Sequence, residues 1–262
     1  MPKLHTNEYQ LFTKHISWQY CPLMIHRLSG RKVAYLWLAS NLKNMKIILT
    51  GATGMVGEGV LMECLRDDRV TAVLSVSRKP SGKKHPRLTE LLVDDFMNIG
   101  DYKSRLAGFD ACFYCAGITS IGMSEANYHH ITYNLTIRMA EAVLDVNPQM
   151  TFIFISGAHT DSTEKGKVMW ARVKGKTENA LGKMPFKDHY NFRPGLMKPD
   201  KSQVHLKGYN KYARLFYPVL SLFFPSCSLS DLARAMINTA EKGYLTKTLE
   251  VKDIKNQAHL RT

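Results

Sequence analysis

Long apolar runs are missing from this 262-residue chain. The longest near the N-terminus, Val33 to Ala39, follows Arg31-Lys32 as a signal-peptide core would. It is about half of the ~20 residues that a membrane-spanning helix needs, and it reads as neither signal nor span. Cysteine is scarce and unpatterned. The five, at positions 21, 64, 112, 115 and 227, make no disulfide framework and read as free thiols in a reducing compartment, so the expected location is cytoplasmic. Acid is short as well: 22 Asp+Glu against 36 Lys+Arg leave +14, which calls for an anionic partner. No helix-turn-helix, zinc finger or RNA-binding aromatic motif accompanies that charge, so nucleic acid is not the expected partner. With 45% hydrophobic residues and only 10 Pro, the composition excludes disorder and describes an ordinary globular protein.

Residues 1–44 hold no sustained strand or helix period. They carry Lys3, Lys14, Arg27, Arg31, Lys32 and Lys43 against Glu8 alone, six cations and one acid, a net +5. They read as a basic N-terminal extension: an accessory arm, a transit segment, or a stretch upstream of the natural start at Met45, the last being favoured. From Met45 short β-branched runs alternate with helical stretches, the pattern of βαβ units around a parallel sheet. Strands are expected at 46–50, 70–77, 91–94, 110–116, 151–156 and 189–193, and helices near 55–66, 98–107, 124–146 and 165–183. The fold class is therefore α/β, a doubly wound Rossmann-type parallel sheet over 45–196 with its ligand crevice at the strand C-termini, followed by a small C-terminal lobe over 197–262. In that lobe Ser230-Asp231 reads as the N-cap of a helix through Glu241, and Leu249 to Val251 as a last short strand.

The most informative stretch is Thr50-Gly51-Ala52-Thr53-Gly54-Met55-Val56-Gly57, a GxxGxxG that follows a strand and opens a helix. The first glycine permits a tight turn, the second lets the backbone approach a pyrophosphate, and the third lets helix and sheet pack closely, with phosphates at the helix N-terminus. Gly51, Thr53, Gly54, Met55, Val56 and Gly57 are thus candidate cofactor-binding residues; the bland alternative is a simple turn. The second strand ends Ser77-Arg78-Lys79, where an NAD site normally places an acid for the ribose hydroxyls. Two cations suit a 2′-phosphate instead, so NADP is expected ahead of NAD, the alternative being solvated turn charges. Asp94 and Asp95 close the third strand as an adenine contact or, equally, a helix cap. Cys112-Phe113-Tyr114-Cys115 resembles a redox or zinc CxxC, but residues three apart on a strand point to opposite faces, and no metal site is expected. Cys115-Ala116-Gly117 reads instead as a small-residue strand end passing near the cofactor.

In sequence order, the TGATGMVG turn, Tyr114-Cys-Ala-Gly117, Ser156, Lys174, Arg193-Pro194-Gly195 and Ser230-Asp-Leu-Ala233 resemble the short-chain dehydrogenase/reductase superfamily. More narrowly, they are similar to its atypical extended branch, which includes NAD-dependent epimerase/dehydratase-like proteins and the Tat-interacting-protein oxidoreductases. The resemblance implies a hydride transfer in which Ser156 orients the substrate oxygen, a tyrosine exchanges its proton, and Lys174 binds the nicotinamide ribose; it also places Pro194 at the cofactor. The sequence departs from the family at one position. The tyrosine of the YxxxK pattern is Trp170, in Trp170-Ala171-Arg172-Val173-Lys174. Indole N–H is a donor that does not titrate near neutral pH, so it cannot replace a phenol as general acid.

Three consequences stay open. The chain binds NADP without catalysis, as a redox sensor or scaffold; or it uses another acid, with His159, Asp161 or Tyr133 as candidates; or it transfers hydride with little proton help. Trp170 itself is either a packed aromatic or a substrate platform. The remaining feature is 207–225, cationic at its start and aromatic to its end. It reads as a lid over the crevice for a small-molecule, apolar substrate, or as a peripheral membrane contact.

Overall fold

The computed structural model describes residues 44–200, 202–205, 217, 221 and 224–260. The basic extension up to Lys43, and most of the 207–225 stretch, lie outside the described residues, as do the lid and membrane readings that rest on that stretch. Seven parallel strands form the main sheet: β1 (Met45–Thr50), β2 (Val70–Ser77), β3 (Leu88–Leu92), β4 (Ala111–Tyr114), β5 (Thr151–Ile155), β6 (Asp188–Arg193) and, late in the chain, β9 (Thr248–Glu250). Their order is β3-β2-β1-β4-β5-β6-β9, so the winding reverses between β1 and β4. In such sheets ligands sit at that reversal, outside the carboxyl ends of the strands. Two short strands, β7 (Leu196–Lys198) and β8 (Ser226–Ser228), pair separately.

Central strands of a parallel sheet are buried on both faces, and the period-2 alternation of their side chains divides the core in two. Ile47, Leu49, Phe113, Ile153 and Phe192 face α1 (Met55–Arg66), α6 (Leu229–Lys242) and α7 (Val251–Ala258). Ile48, Cys112, Tyr114, Phe152 and Phe154 face the opposite layer. That layer holds the 3₁₀ stretch Phe96–Tyr102, α2 (Lys103–Leu106), α4 (Leu135–Val146) and α5 (Met169–Leu181). Cys112 and Cys115 fall on different faces, as strand geometry requires, and Cys112 is fully buried among apolar neighbours.

Several elements differ from their sequence-based bounds for local reasons. The third strand lies at 88–92 rather than 91–94, because the Asp95 carboxylate accepts the Met97 N–H at 2.9 Å and starts the 3₁₀ stretch; Asp95 is a helix cap. The expected helix over 124–146 is three segments: α3 (Glu125–His129), a π-helical stretch His130–Asn134, and α4. The expected helix from 165 begins at Met169, because Asp161 accepts from Thr163 N, Thr163 Oγ1 and Gly166 N and holds the preceding residues in a loop. The N-cap of α6 is Ser228, not Ser230: its hydroxyl accepts the Asp231 N–H at 2.9 Å.

The turn that joins β1 to α1 is sterically sealed. Gly51 has φ of +76°, and a Cβ there would lie 2.7 Å from the backbone of Cys115 and Ala116. A Cβ on Gly57 would lie 2.1 Å from the Gly51 carbonyl oxygen. Gly57→Ala is therefore expected to cost about 3 kcal/mol or more, at or beyond the upper end of ordinary overpacking. Chemical denaturation would measure it, and a change within ~0.5 kcal/mol would show that the turn can relax.

Candidate active site

The site begins at that turn. Thr50 Oγ1, at the end of β1, accepts the N–H groups of Cys115 and Ala116 at 3.2 and 3.1 Å and ties the turn to the end of β4. Helix α1 starts at Gly54 with no side-chain cap, so its first N–H groups stay available. A Cβ at Gly54 would meet only the Gly51 oxygen at 3.4 Å, and one at Gly117 would meet nothing within 4 Å. Backbone donors, a helix dipole and clear space together suit an anion. Thr53, Met55 and Val56 occupy the same turn and first helical residues. Ser77 is buried, its hydroxyl bonded to the Lys79 carbonyl at 2.7 Å. Arg78 and Lys79 beyond it are exposed and pair with no carboxylate among the described residues. Asp94 is exposed.

The second part of the site lies at the ends of β5 and β6. Trp170 and Lys174, one turn apart on α5, meet over Gly157: a Cβ there would lie 3.5 Å from Trp170 Cζ3 and 3.7 Å from Lys174 Nζ. Lys174 is half-buried and donates to the Ser156 carbonyl at 2.8 Å. Burial holds its ammonium down to about 8, with Glu178 pulling the other way. The Ser156 hydroxyl is buried against Thr160 Oγ1 at 2.9 Å; Thr160 in turn donates to the Gly157 carbonyl, so Ser156 is the donor of the pair. Pro194 follows β6, and its carbonyl accepts the Ala158 N–H at 3.2 Å.

A cleft of about 880 Å³ adjoins this loop, lined among others by His159, Phe224, Val251, Lys252 and Lys255. Of the three acids considered from sequence, His159 alone lines it, on a backbone with φ of +63°. Hydrogen bonds from Thr163 and Gly166 hold the Asp161 carboxyl below the usual carboxylate range, in a structural loop. Tyr133 packs at a tilt against His129, ring centroids 4.7 Å apart, and lies under Lys176 at 5.0 Å.

The sequence model of the NAD dependent epimerase/dehydratase family matches residues 47–167, which span the turn and the end of β5. The fold matches a UDP-N-acetylglucosamine 4-epimerase from Methanobrevibacter ruminantium, solved with UDP-N-acetylmuramic acid (TM-score 0.60, 17% identity, 79% of this chain and 76% of that one). It also matches a short chain dehydrogenase from Burkholderia cenocepacia, solved with NADP (TM-score 0.59, 13% identity, 82% and 92%). The matched residues and the shared fold make the chain similar to the extended short-chain dehydrogenase/reductase superfamily.

Among curated relatives is the protein fmp52, mitochondrial, of Emericella nidulans, 25% identical over 60% of this chain and 69% of its own length. Its namesake in Aspergillus clavatus is 27% identical over 60% and 68%. These names correct the cytoplasmic expectation. Scarce, unpatterned cysteine speaks to redox environment and does not distinguish one reducing compartment from another. No helix among the described residues is long and apolar enough to cross a membrane.

The residues fit the superfamily's nicotinamide dinucleotide: Gly51, Gly54 and Gly57 leave the crest of the turn bare and the helix N-terminus uncapped. What sequence reasoning missed is the support behind this crest. Glu58, on the first turn of α1, is fully buried and accepts from Val204 N, His205 N and Lys83 Nζ at 3.0, 2.7 and 3.0 Å. Burial would raise this carboxyl, but those donors more than offset it and hold it below the ordinary range. Gln203 Nε2 adds a bond to the Met55 carbonyl at 2.6 Å. Partners some 146 residues apart leave no local signal; an acid opening a helix that follows a glycine turn was the only visible hint.

Lys174 also fixes a pH dependence. Its amine is held down to about 8 in the folded chain, against 10.5 for an ordinary lysine. Between those values the unfolded chain binds more protons, so this group destabilises the fold below about pH 8 and the cost is relieved as pH rises toward 10.5. Lys174→Met should raise the melting temperature at pH 7, with the gain shrinking across that interval. Thermal melts at stepped pH would show it, and a pH-independent difference would contradict it.

Proposed function

We propose that the chain is an NADP-dependent oxidoreductase or epimerase-like enzyme acting on a small molecule at a carbonyl or carbinol carbon. The observation that carries this reading is the bare, uncapped start of α1 beside two exposed cations, Arg78 and Lys79, that have no carboxylate partner among the described residues. When bound, the dinucleotide supplies or accepts the hydride. The turn from Gly51 to Gly57 would hold its phosphates, Arg78 and Lys79 its 2′-phosphate, and Lys174 its nicotinamide ribose. Asp94, Cys115, Ala116, Gly117 and Pro194 border the same cofactor; Asp95 keeps its capping role. Ser156 lies under the floor of the reacting centre, and Trp170 packs as a platform beside it. The adjoining cleft, with Phe224, Pro225 and Val251 in its wall, suits a substrate with an apolar body. Peripheral membrane contact through 207–225 rests on the composition of that stretch alone.

A mitochondrial location fits both the names of the relatives and the basic, acid-poor composition of residues 1–44, a net +5. One observation favours a second reading, a non-catalytic NADP-binding sensor: Trp170 stands where a proton-exchanging phenol is needed.

Titration with NADPH and NADH, followed by NADPH oxidation over aldehydes, ketones and quinones, separates these readings. Tight NADPH binding with turnover supports the enzyme, tight binding without turnover on the panel favours the sensor, and no binding of either nucleotide rejects both. Arg78→Ala should weaken NADPH by about 1.5–3 kcal/mol, the value of a hydrogen bond to a charged group, and leave NADH nearly unchanged. Equal losses for the two would remove Arg78 from the 2′-phosphate.

A further inference from the structure

A half-buried ammonium without a carboxylate calls for an explanation. Lys174 makes one bond, to the Ser156 carbonyl, and forms no ion pair among the described residues. The carboxylate placed to serve it is Glu178, one turn further along α5 at the i,i+4 spacing. That carboxylate is turned away. Arg193, at the end of β6, takes both of its oxygens, Nε to Oε1 at 2.9 Å and Nη2 to Oε2 at 2.5 Å, as a bidentate fork. The guanidinium is steadied from its other side by Ser162 Oγ at 2.7 Å and Glu250 Oε1 at 3.3 Å. Glu178 is 4% exposed, so it has no solvent to turn to.

We propose that Lys174, rather than Trp170, exchanges the proton at the reacting oxygen, and that Arg193 is the positioning residue that leaves it able to do so by holding Glu178 away. This rests on the reading of the site as a dinucleotide-dependent oxidoreductase. An ammonium has three N–H donors; one meets Ser156, and two remain for a ribose hydroxyl and a substrate oxygen. As the carbonyl carbon accepts hydride, the π electron pair moves to oxygen and one Lys174 proton follows it. The products are the alcohol, the oxidised dinucleotide and a neutral amine, which regains its proton from water. In the reverse direction the neutral amine is the base. Burial holding the amine down to about 8 brings it near the working pH of a general acid, a place an ordinary lysine does not reach.

The groups around Lys174 agree with this division of labour. On its own helix stand Trp170, which does not titrate, and Glu178. From β6 comes Arg193, and from the loop after β5 come Ser156 and, further on, His159. Packed on α5, the π-helical stretch contributes Tyr133 and His130 and the end of α3 contributes His129, and there the cation that engages the aromatic ring is Lys176.

The test is a pH titration, by NMR, of full-length protein carrying ¹³C at lysine Cε, with the Lys174 signal identified by its loss in Lys174→Arg. The wild type should show a midpoint near 8, and Arg193→Met, which frees Glu178, should move it upward by about one pH unit or more. A wild-type midpoint in the ordinary lysine range overturns the proposal. So does an Arg193→Met variant that is less stable yet leaves the midpoint where it was, since that is what a merely structural arginine would do. If Arg193→Met does not fold, Glu178→Gln keeps the oxygen toward the guanidinium and removes the charge; its midpoint must fall below the wild-type value, and no movement refutes the tuning. NADPH binding on the same samples keeps the two readings apart. Failure to bind rejects the oxidoreductase reading, whereas binding with an ordinary lysine midpoint rejects this proposal alone.

Discussion

The close approach of the β1–α1 turn to the end of β4 is the constraint on which the remainder depends. Thr50 bonds two successive backbone N–H groups across the gap, and Gly51 brings its own backbone to a distance that no side chain would allow. With the turn drawn in, α1 starts low over the sheet and its free N–H groups point over the strand ends at the reversal between β1 and β4. Any added bulk at Gly51 or Gly57 would lift the helix and move the phosphate-binding donors with it. The chemistry at β5 and β6 is separate in sequence but shares the same platform, since β4 pairs with β1 on one side and β5 on the other.

The +14 charge acquires meaning from which cations are engaged. Arg69 is pinned by Asp67 and Glu241, Arg234 by Glu63, Arg193 by Glu178, and Lys83 by the buried Glu58. Arg87 closes the C-terminal end of α1, donating to the carbonyls of Leu65, Asp67 and Val70. The scarce acids are thus concentrated in structural pairs. Among the described cations outside such pairs, Arg78 and Lys79 lie at the cofactor side and Lys252 and Lys255 at the cleft, facing the places where ligands are expected.

How much of this was legible follows from the range of each interaction. Strand β1, helix α1 and the glycine turn are written in contiguous residues, and so is the Trp170 substitution. The π-helical stretch at His130–Asn134 was not, because the apolar period runs through 124–146 without a break. Ser228 and Ser230 both make plausible caps, and only the fold, which sends the chain out of β8 directly into α6, decides for Ser228. The Glu58 anchor and the fork of Arg193 on Glu178 join residues 146 and 15 positions apart, across elements whose contact depends on the finished sheet. Location was misjudged for a different reason: cysteine chemistry reports redox potential, not address.

Replacing a phenol by an indole at position 170 is usually read as a lost function, but the surroundings argue for an exchange of roles. A Cβ at position 157 would already touch Trp170 at 3.5 Å and Lys174 Nζ at 3.7 Å, so a glycine there leaves both side chains uncrowded. In a Tyr–Lys pair the lysine acts through the phenol, and a fully charged ammonium serves that purpose best. With the phenol gone, a permanently charged lysine would be of no use to proton transfer, whereas one deprived of its counter-ion can take part directly. A site that had only decayed would be under no pressure to keep Glu178 turned away from Lys174. Arg193 does so with two hydrogen bonds, in a position set by the backbone of β6 rather than by the lysine itself.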